Sequence, residues 1–430
     1  MINDVLVLVL GFLVLLSIGM PIAWSIGIAS MLTMMLSIDT LPAFTTIAQR
    51  MATGLDSFAL LAIPFFVLAG QVMNSGGIAN RLINFAKSLV GALPGGLAYV
   101  NIITAILFGA ISGSAAAAAT AIGGILGPRM EKEGYSKEFG AAINITSATT
   151  GLVIPPSNVL IVYSLASGGI SIGSLFLAGY IPGILTGLML MAVAAYWSKK
   201  MNFPTGEPTH LKELAIRFVD ALPSMSLLVV VIGGIVTGIF TATEASGVAV
   251  LYTLILSLIY KELTRQKLFE VFLISVQTTA IVMLLIGTSM SMSWVMSYAD
   301  IPQTVSQALL SLSDNIYVVL LIINIFLLFV GIFMDITPAV LIFTPIFLPV
   351  VKSMGMDPIH FGIVMVLNLC IGLCTPPVGS VLFIGVGVAK TSIQKVIRPL
   401  IPLFIAMIIV LFLVTYIPSL SLWLPGYFNE

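Results

Sequence analysis

Two stretches far apart in the chain share an arrangement of residues suited to holding a small cation through neutral oxygen. The first, Asn144-Ile-Thr146-Ser147-Ala-Thr149-Thr150-Gly151-Leu-Val-Ile-Pro155-Pro156-Ser157-Asn158, contains a double proline and seven Ser, Thr or Asn side chains. The second, Asn368 to Ser380, repeats the break with Gly372, Thr375, Pro376, Pro377, Gly379 and Ser380. Proline removes a backbone donor and interrupts a helix, so each break frees carbonyl oxygens, to which hydroxyls and amides add. Such a cage suits a dehydrated monovalent cation such as sodium, whereas magnesium asks for carboxylates and retained water. A proline kink packed by neighbouring helices is the plainer explanation of either break alone.

Other polar residues in apolar surroundings are few. Ser112 and Ser114 flank Gly113 just before Ala115 to Ala119 and Thr120, where their hydroxyls can donate to an anion and the following helix start adds a positive dipole end. The alternative is a small-residue packing seam, which fits the alanine run better than the serines. Asp335, in Gly331-Ile-Phe-Met334-Asp335-Ile-Thr337-Pro338, can bind a cation, carry a proton or cap the next helix. Glu244, in Thr241-Ala-Thr243-Glu244-Ala245, has helix-start stabilisation as an equal explanation.

Enzyme chemistry has little to draw on. The chain has two histidines, His210 and His360, too few for a histidine-based metal site, and Ser112 with His360 in an outer loop is a poor nucleophile and base. Cys370 and Cys374 stand in an apolar run as small buried hydrophobes rather than a disulfide or ligands. The glycine pairs Gly123-Gly124 and Gly168-Gly169 lack the Gly-Lys-Ser/Thr ending of a phosphate loop.

The elements that must position these residues follow from composition. Of 430 residues, 59% are hydrophobic and 8% charged, and the net charge is zero; an ordinary soluble domain carries roughly a quarter charged residues. Apolar runs such as Val5 to Met20, Ile181 to Trp197, Val318 to Met334 and Leu400 to Tyr416 approach the ~20 residues that cross a bilayer as helix. The alternating ~10-residue segments of a membrane barrel are absent. An all-α polytopic membrane protein is expected, with the first run a retained helix, because it carries Asp4 and has no basic leader.

Motifs recur in the same order about 222 residues apart: Asn101 with Asn324, Gly109 with Gly331, Phe139-Gly140 with Phe361-Gly362, and Gly151-Leu-Val-Ile-Pro155-Pro156 with Gly372-Leu-Cys-Thr-Pro376-Pro377. Two homologous halves explain the series: residues 1–200 with a hairpin at about 97–128 and a broken helix at about 138–168, and residues 223–430 with a hairpin at about 316–351 and a broken helix at about 359–389, joined by a cytoplasmic linker at 201–222. Five crossings and one re-entrant hairpin per half, with both termini periplasmic, put fifteen of the 17 Lys and Arg residues on the cytoplasmic side, all but Arg50 and Lys352. An odd number of crossings inverts the second half relative to the first. Thr40 to Ala52 and Ile78 to Leu89 are too polar to span and read as interfacial helices, or as plain loops.

With these motifs the chain resembles, over essentially its whole length, the large membrane subunit of tripartite ATP-independent periplasmic (TRAP) transporters; Gly238-Ile-Phe-Thr-Ala-Thr-Glu244-Ala and Pro21-Ile-Ala add to the likeness. The resemblance implies a sodium-driven importer of organic acids in a Gram-negative inner membrane. Its partners would be a small four-helix membrane subunit, here a separate polypeptide, and a periplasmic substrate-binding protein, with no nucleic acid. It also implies an elevator motion of hairpins and broken helices against a scaffold. Carried onto this chain, it matches Ser112, Gly113 and Ser114 to the first hairpin tip, Gly151 and Pro155 to the first break, Asp335 and Thr337 to the second tip, and Gly372 and Thr375 to the second break.

The combined expectation is substrate contact by Ser112, Gly113, Ser114, Asn158 and Asp335. One sodium is expected near Ser112, Asn144, Thr149, Gly151 and Pro155, and a second near Asp335, Thr337, Gly372, Thr375 and Pro377. Sialic acid is the expected substrate; a C4-dicarboxylate or citrate-like anion, carried with or without a soluble binding protein, is the alternative. An ion channel and an intramembrane enzyme are the competing classes, and the paired breaks weigh against the first.

Overall fold

The computed structural model describes residues 2–206 and 210–429, so part of the expected linker, residues 207–209, lies outside the described residues. In chain order the helices are α1 (Ile2–Ser17), α2 (Ile22–Met34), α3 (Thr40–Leu55), a 3-10 turn at Phe58–Leu61 leading into α4 (Ala62–Ser75), α5 (Ile78–Val90), α6 (Gly96–Ser112), α7 (Ala115–Lys132), α8 (Lys137–Thr150), α9 (Asn158–Ala166) and α10 (Ile172–Met201). After the linker come α11 (Leu211–Val236), α12 (Ala242–Ile259), α13 (Arg265–Tyr298), α14 (Ile301–Leu312), α15 (Ile316–Phe333), α16 (Ile336–Ser353), α17 (Pro358–Gly372), α18 (Ser380–Ala389), α19 (Ile393–Tyr416) and α20 (Ser419–Asn429). The chain is all-α and polytopic.

Eight helical segments among the described residues are long and apolar enough to cross a membrane. Two, Phe58–Ser75 and Ile172–Met201, fall in the first half of the chain; six fall in the second. Five spanning helices in each half were expected. In the first half Gly19 at φ 83° and Pro21 stop α1 after 16 residues, α2 has only 13 and α6 only 17, all short of the ~20 a crossing needs. The six of the second half, by contrast, include α15 and α16, the two arms of the hairpin expected to be re-entrant. Thr40–Leu55 and Ile78–Val90 are amphipathic helices rather than loops. The first buries Ala43 and Ile47 while leaving Leu41 and Phe44 exposed. The second buries Ile78, Ala79, Leu82, Ile83 and Ala86. It is pinned by Arg81, whose guanidinium lies 3.2 Å from the Asp220 carboxylate and over the Tyr260 ring.

Two helix–turn–helix pairs, α6–α7 and α15–α16, pack against the first segments of two interrupted helices, α8 and α17 respectively, while the second segments cross over, α9 onto α16 and α18 onto α7. The contacts are alike in kind. A Cβ on Gly109 would stand 2.5 Å from the Cα of Gly151, and one on Gly372 would stand 2.6 Å from the Cα of Gly331, so only glycine permits either approach. Asn101 accepts from the Ser147 hydroxyl at 2.9 Å, and Asn324 accepts from the Asn368 amide at 2.8 Å. The interruptions meet at the centre, where the Cys374 thiol lies 3.6 Å from the Thr149 hydroxyl and 3.4 Å from the Ile145 carbonyl oxygen.

His360 departs from its expected place in an outer loop. It is buried in the first turn of α17, with Nε2 2.8 Å from the Val414 carbonyl oxygen. The turn before it is short because Asp357 caps α17 from the preceding residue, accepting from the Ile359 backbone at 2.7 Å.

Candidate functional site

The two hairpin turns face each other across one cavity of about 470 Å³. The first turn supplies Ser112, Gly113 and Ser114, and the second Asp335, Ile336 and Thr337. Asn158 and Ser380, the first residues after the two interruptions, complete its floor, while Gly70, Gln71 and Asn74 of α4 with Thr278 and Val282 of α13 close the opposite wall. The volume suits a small organic ligand.

Local sequence explains the turns. Gly113 adopts φ 60° and ends α6, and Ser114 starts α7 by accepting from the Ala117 backbone at 3.2 Å. Ser112 Oγ accepts from the Ser114 backbone at 3.5 Å, a long bond that leaves its hydroxyl proton to a ligand. In the second turn Asp335 starts α16 and accepts from the Ile336 backbone at 2.7 Å. One carboxylate oxygen thus serves as a cap while the side chain remains open to the cavity. The capping expectation for Asp335 is met without using up its charge. Glu244 is part of a capping box with Thr241 at the start of α12, each side chain bonding the other's backbone.

All five residues expected to contact substrate, Ser112, Gly113, Ser114, Asn158 and Asp335, line this cavity. Asn158 packs against Gly113, where a Cβ would lie 2.9 Å from its Nδ2, and its Oδ1 is buried without a hydrogen-bond partner among the described residues. A buried acceptor left unmet is a site for a donor or a cation.

The residues expected around sodium are divided. Ser112, Asp335 and Thr337 are on the cavity. Asn144 is not: its Nδ2 donates to the Ala119 carbonyl at 2.8 Å, tying α8 to α7, and the residue lines a separate cavity of about 260 Å³ reaching Lys137 and Lys390. Thr149 is buried in the last turn of α8, and Gly151 and Pro155 in the first interruption, which is buried throughout from Gly151 to Ser157. Gly372 is held against Gly331, and the Thr375 hydroxyl donates to the Ile371 carbonyl at 2.8 Å. Pro377 is exposed, as is Val378, so the second interruption is open where the first is closed. Both interruptions contain a cis bond between their prolines, Pro155-Pro156 and Pro376-Pro377.

Asn144 and Asn368 also carry buried Oδ1 atoms without partners, so neutral oxygen acceptors are available in both broken helices. No group of three or more His, Cys, Asp or Glu side chains fit to hold a metal occurs among the described residues, and both cysteines are buried free thiols.

The sequence reading missed the wall formed by Gln71, Asn74 and Thr278. Gln71 and Asn74 are three residues apart, hence on one face of a helix otherwise apolar enough to cross the membrane. That spacing is the signal that marks them. Gly70 lets this wall touch the first turn, since a Cβ there would fall 2.8 Å from the Ser112 carbonyl oxygen.

Known proteins share both sequence and fold with this chain. Salmonella typhimurium YgiK, described only as an uncharacterized protein, is 55% identical over 427 residues, covering 99% of this chain and 98% of YgiK. The isethionate TRAP transporter permease protein DctMQ of Oleidesulfovibrio alaskensis is 40% identical, covering 96% of this chain and 65% of its own length. The sialic acid TRAP transporter large permease protein SiaM of Vibrio cholerae is 39% identical, covering 98% of each. Among solved structures, the Alcanivorax borkumensis YdaH transporter superposes with a TM-score of 0.65 at 13% identity, covering 91% of this chain and 90% of that one, a likeness of fold. The family model for the DctM component of the tripartite ATP-independent periplasmic transporter matches residues 9–420. The chain therefore belongs to the DctM family of TRAP transporter permeases, multi-pass inner-membrane transport components and not enzymes.

Proposed function

We propose that this chain imports an organic acid by sodium-coupled secondary transport, the acid being handed to it by a periplasmic binding protein. The single observation carrying the reading is the cavity where both hairpin turns meet the residues that follow both helix interruptions. Substrate and coupling ions brought to one place make their binding mutually dependent. Asp335, Thr337 and Asn158 offer the oxygens for sodium, and the Ser112 and Ser114 hydroxyls with the start of α7 face the acid. One charge moving down 100 mV releases ~2.3 kcal/mol, so two sodium ions supply roughly 5 kcal/mol before any concentration term.

Two inverted halves and an elevator motion belong to this proposal. They are supported by the repeated order of helices, by the paired glycine contacts, and by two hairpin turns at the depth of one cavity. The halves are residues 1–200 and 223–430, with both termini periplasmic. Hairpins and broken helices would move together past a scaffold that includes α4 and α13 and to which the small four-helix subunit binds. Sialic acid is our first choice of substrate. The nearly equal identity to relatives named for isethionate and for sialic acid keeps other organic acids, C4-dicarboxylates among them, as the alternative.

Proteoliposomes holding this chain with its small subunit test the reading, with the sodium gradient and the external binding protein varied independently. Uptake of labelled sialic acid that needs both is the expected result. Uptake indifferent to the binding protein would replace the tripartite reading with that of a lone carrier, and uptake of a dicarboxylate alone would change the substrate.

A further inference from the structure

A third cavity, of about 930 Å³, lies away from the transport site, among the ends of α5, α7 and α11. Lys87, Arg129, Lys132 and Arg217 line it, against only Glu133 and Glu213, a surplus of two positive charges. The acids neutralise little. Lys87 meets Glu133 at 4.0 Å and Arg217 meets Glu213 at 3.7 Å, both between exposed or half-exposed groups. Arg129 and Lys132 have no ion pair among the described residues.

The basic bias of one membrane face accounts for cations scattered over that face. It does not account for cations from three separate elements converging on one concavity with a built floor. That floor is the segment after α10, bridged to the turn before α6 through Pro94 and Thr205 and through the Gly95 amide, which donates to the Pro204 carbonyl at 3.3 Å. On α11, Ile216 is exposed one turn from Glu213, so apolar surface lies beside the charged face of that helix. Phosphate next to hydrocarbon is the chemistry of a phospholipid.

We propose that this cavity binds the phosphate headgroup of an anionic phospholipid, clamped between the end of α7 and the helices α5 and α11. Arg129 and Lys132, which have no ion pair among the described residues, take the phosphate, and Lys87 and Arg217 add positive charge from α5 and α11. The site stands whether or not the transport reading above is right, because its readout is bound lipid.

The test uses the purified full chain in mixed nanodiscs of phosphatidylglycerol and phosphatidylcholine, with native mass spectrometry of the lipids it retains. R129Q/K132Q is expected to lower the retained ratio of phosphatidylglycerol to phosphatidylcholine about threefold or more. K199Q/K200Q, which removes the same charge outside the cavity, is expected to leave the ratio unchanged. E133Q/E213Q is expected to raise it, which protects the test against a variant that merely folds poorly. Equal loss in the two lysine- and arginine-depleted variants, or no loss in either, would overturn the proposal. Equal displacement of the lipid signal by millimolar inorganic phosphate would overturn the lipid assignment in favour of a soluble phosphate ester.

Discussion

At the scale of the residue, Asp335 carries two roles that one substitution can separate. Its carboxylate caps α16 through the Ile336 amide and also faces the cavity. Asparagine retains the accepting oxygen but not the charge. Asp335→Asn is therefore expected to keep the thermal midpoint near wild type while sodium-driven uptake falls about tenfold or more, as loss of an intramembrane charge should produce. Asp335→Ala is expected to lose uptake and also ~1 kcal/mol of stability, the usual worth of a cap. Equal uptake by Asp335→Asn and wild type would reduce Asp335 to its capping role. Glu244 makes the contrast: its carboxylate is spent in a capping box outside every cavity described, so Glu244→Ala is expected to lower the thermal midpoint slightly and leave the sodium dependence of uptake unaltered.

At the scale of the element, the hairpins meet the broken helices through direct backbone contact as well as through the asparagine hydrogen bonds. Gly109 on Gly151 and Gly331 on Gly372 leave no room for a methyl group, and the atom met in each case is a Cα that cannot rotate away. Gly109→Ala and Gly372→Ala are each expected to destabilise the fold by about 1–3 kcal/mol, the cost of overpacking, seen as a lower thermal midpoint in detergent. Gly124→Ala lies on α7 with open space around it and serves as the control, expected to be neutral or slightly stabilising. A neutral result at Gly109 and Gly372 would mean that the hairpins sit further from the broken helices than this packing requires.

At the scale of the whole molecule, inversion of the halves makes a sided prediction. Lys132 ends α7 and Ser353 ends α16, the equivalent position of the second hairpin, and both are exposed. Inverted halves require K132C to react with a membrane-impermeant maleimide from the cytoplasmic side and S353C from the periplasmic side. Labelling of both from one side would refute inversion. The native thiols at Cys370 and Cys374 are buried and add little background.

Composition and motif spacing alone determined that the chain is an all-α membrane protein, that the breaks fall at Pro155-Pro156 and Pro376-Pro377, and that Ser112, Ser114 and Asp335 merit attention. Such facts are local: hydropathy, a missing amide and a lone charge in apolar sequence carry their meaning without knowledge of neighbours. Which of those residues share a cavity is not local. Thr149 and Thr375 are as polar as Ser112, yet one is turned toward the Cys374 thiol and the other spends its hydroxyl on its own helix. Gln71, Asn74 and Thr278 reach the cavity only because α4 and α13 pack across from the hairpin turns. Which helices are long enough to span was likewise settled beyond hydropathy: the turn at Gly19 stops α1 early, while both arms of the second hairpin run to 18 residues. Tertiary structure decided these points because a side chain's partners are set by helix packing, and packing brings together residues that the sequence holds more than a hundred positions apart.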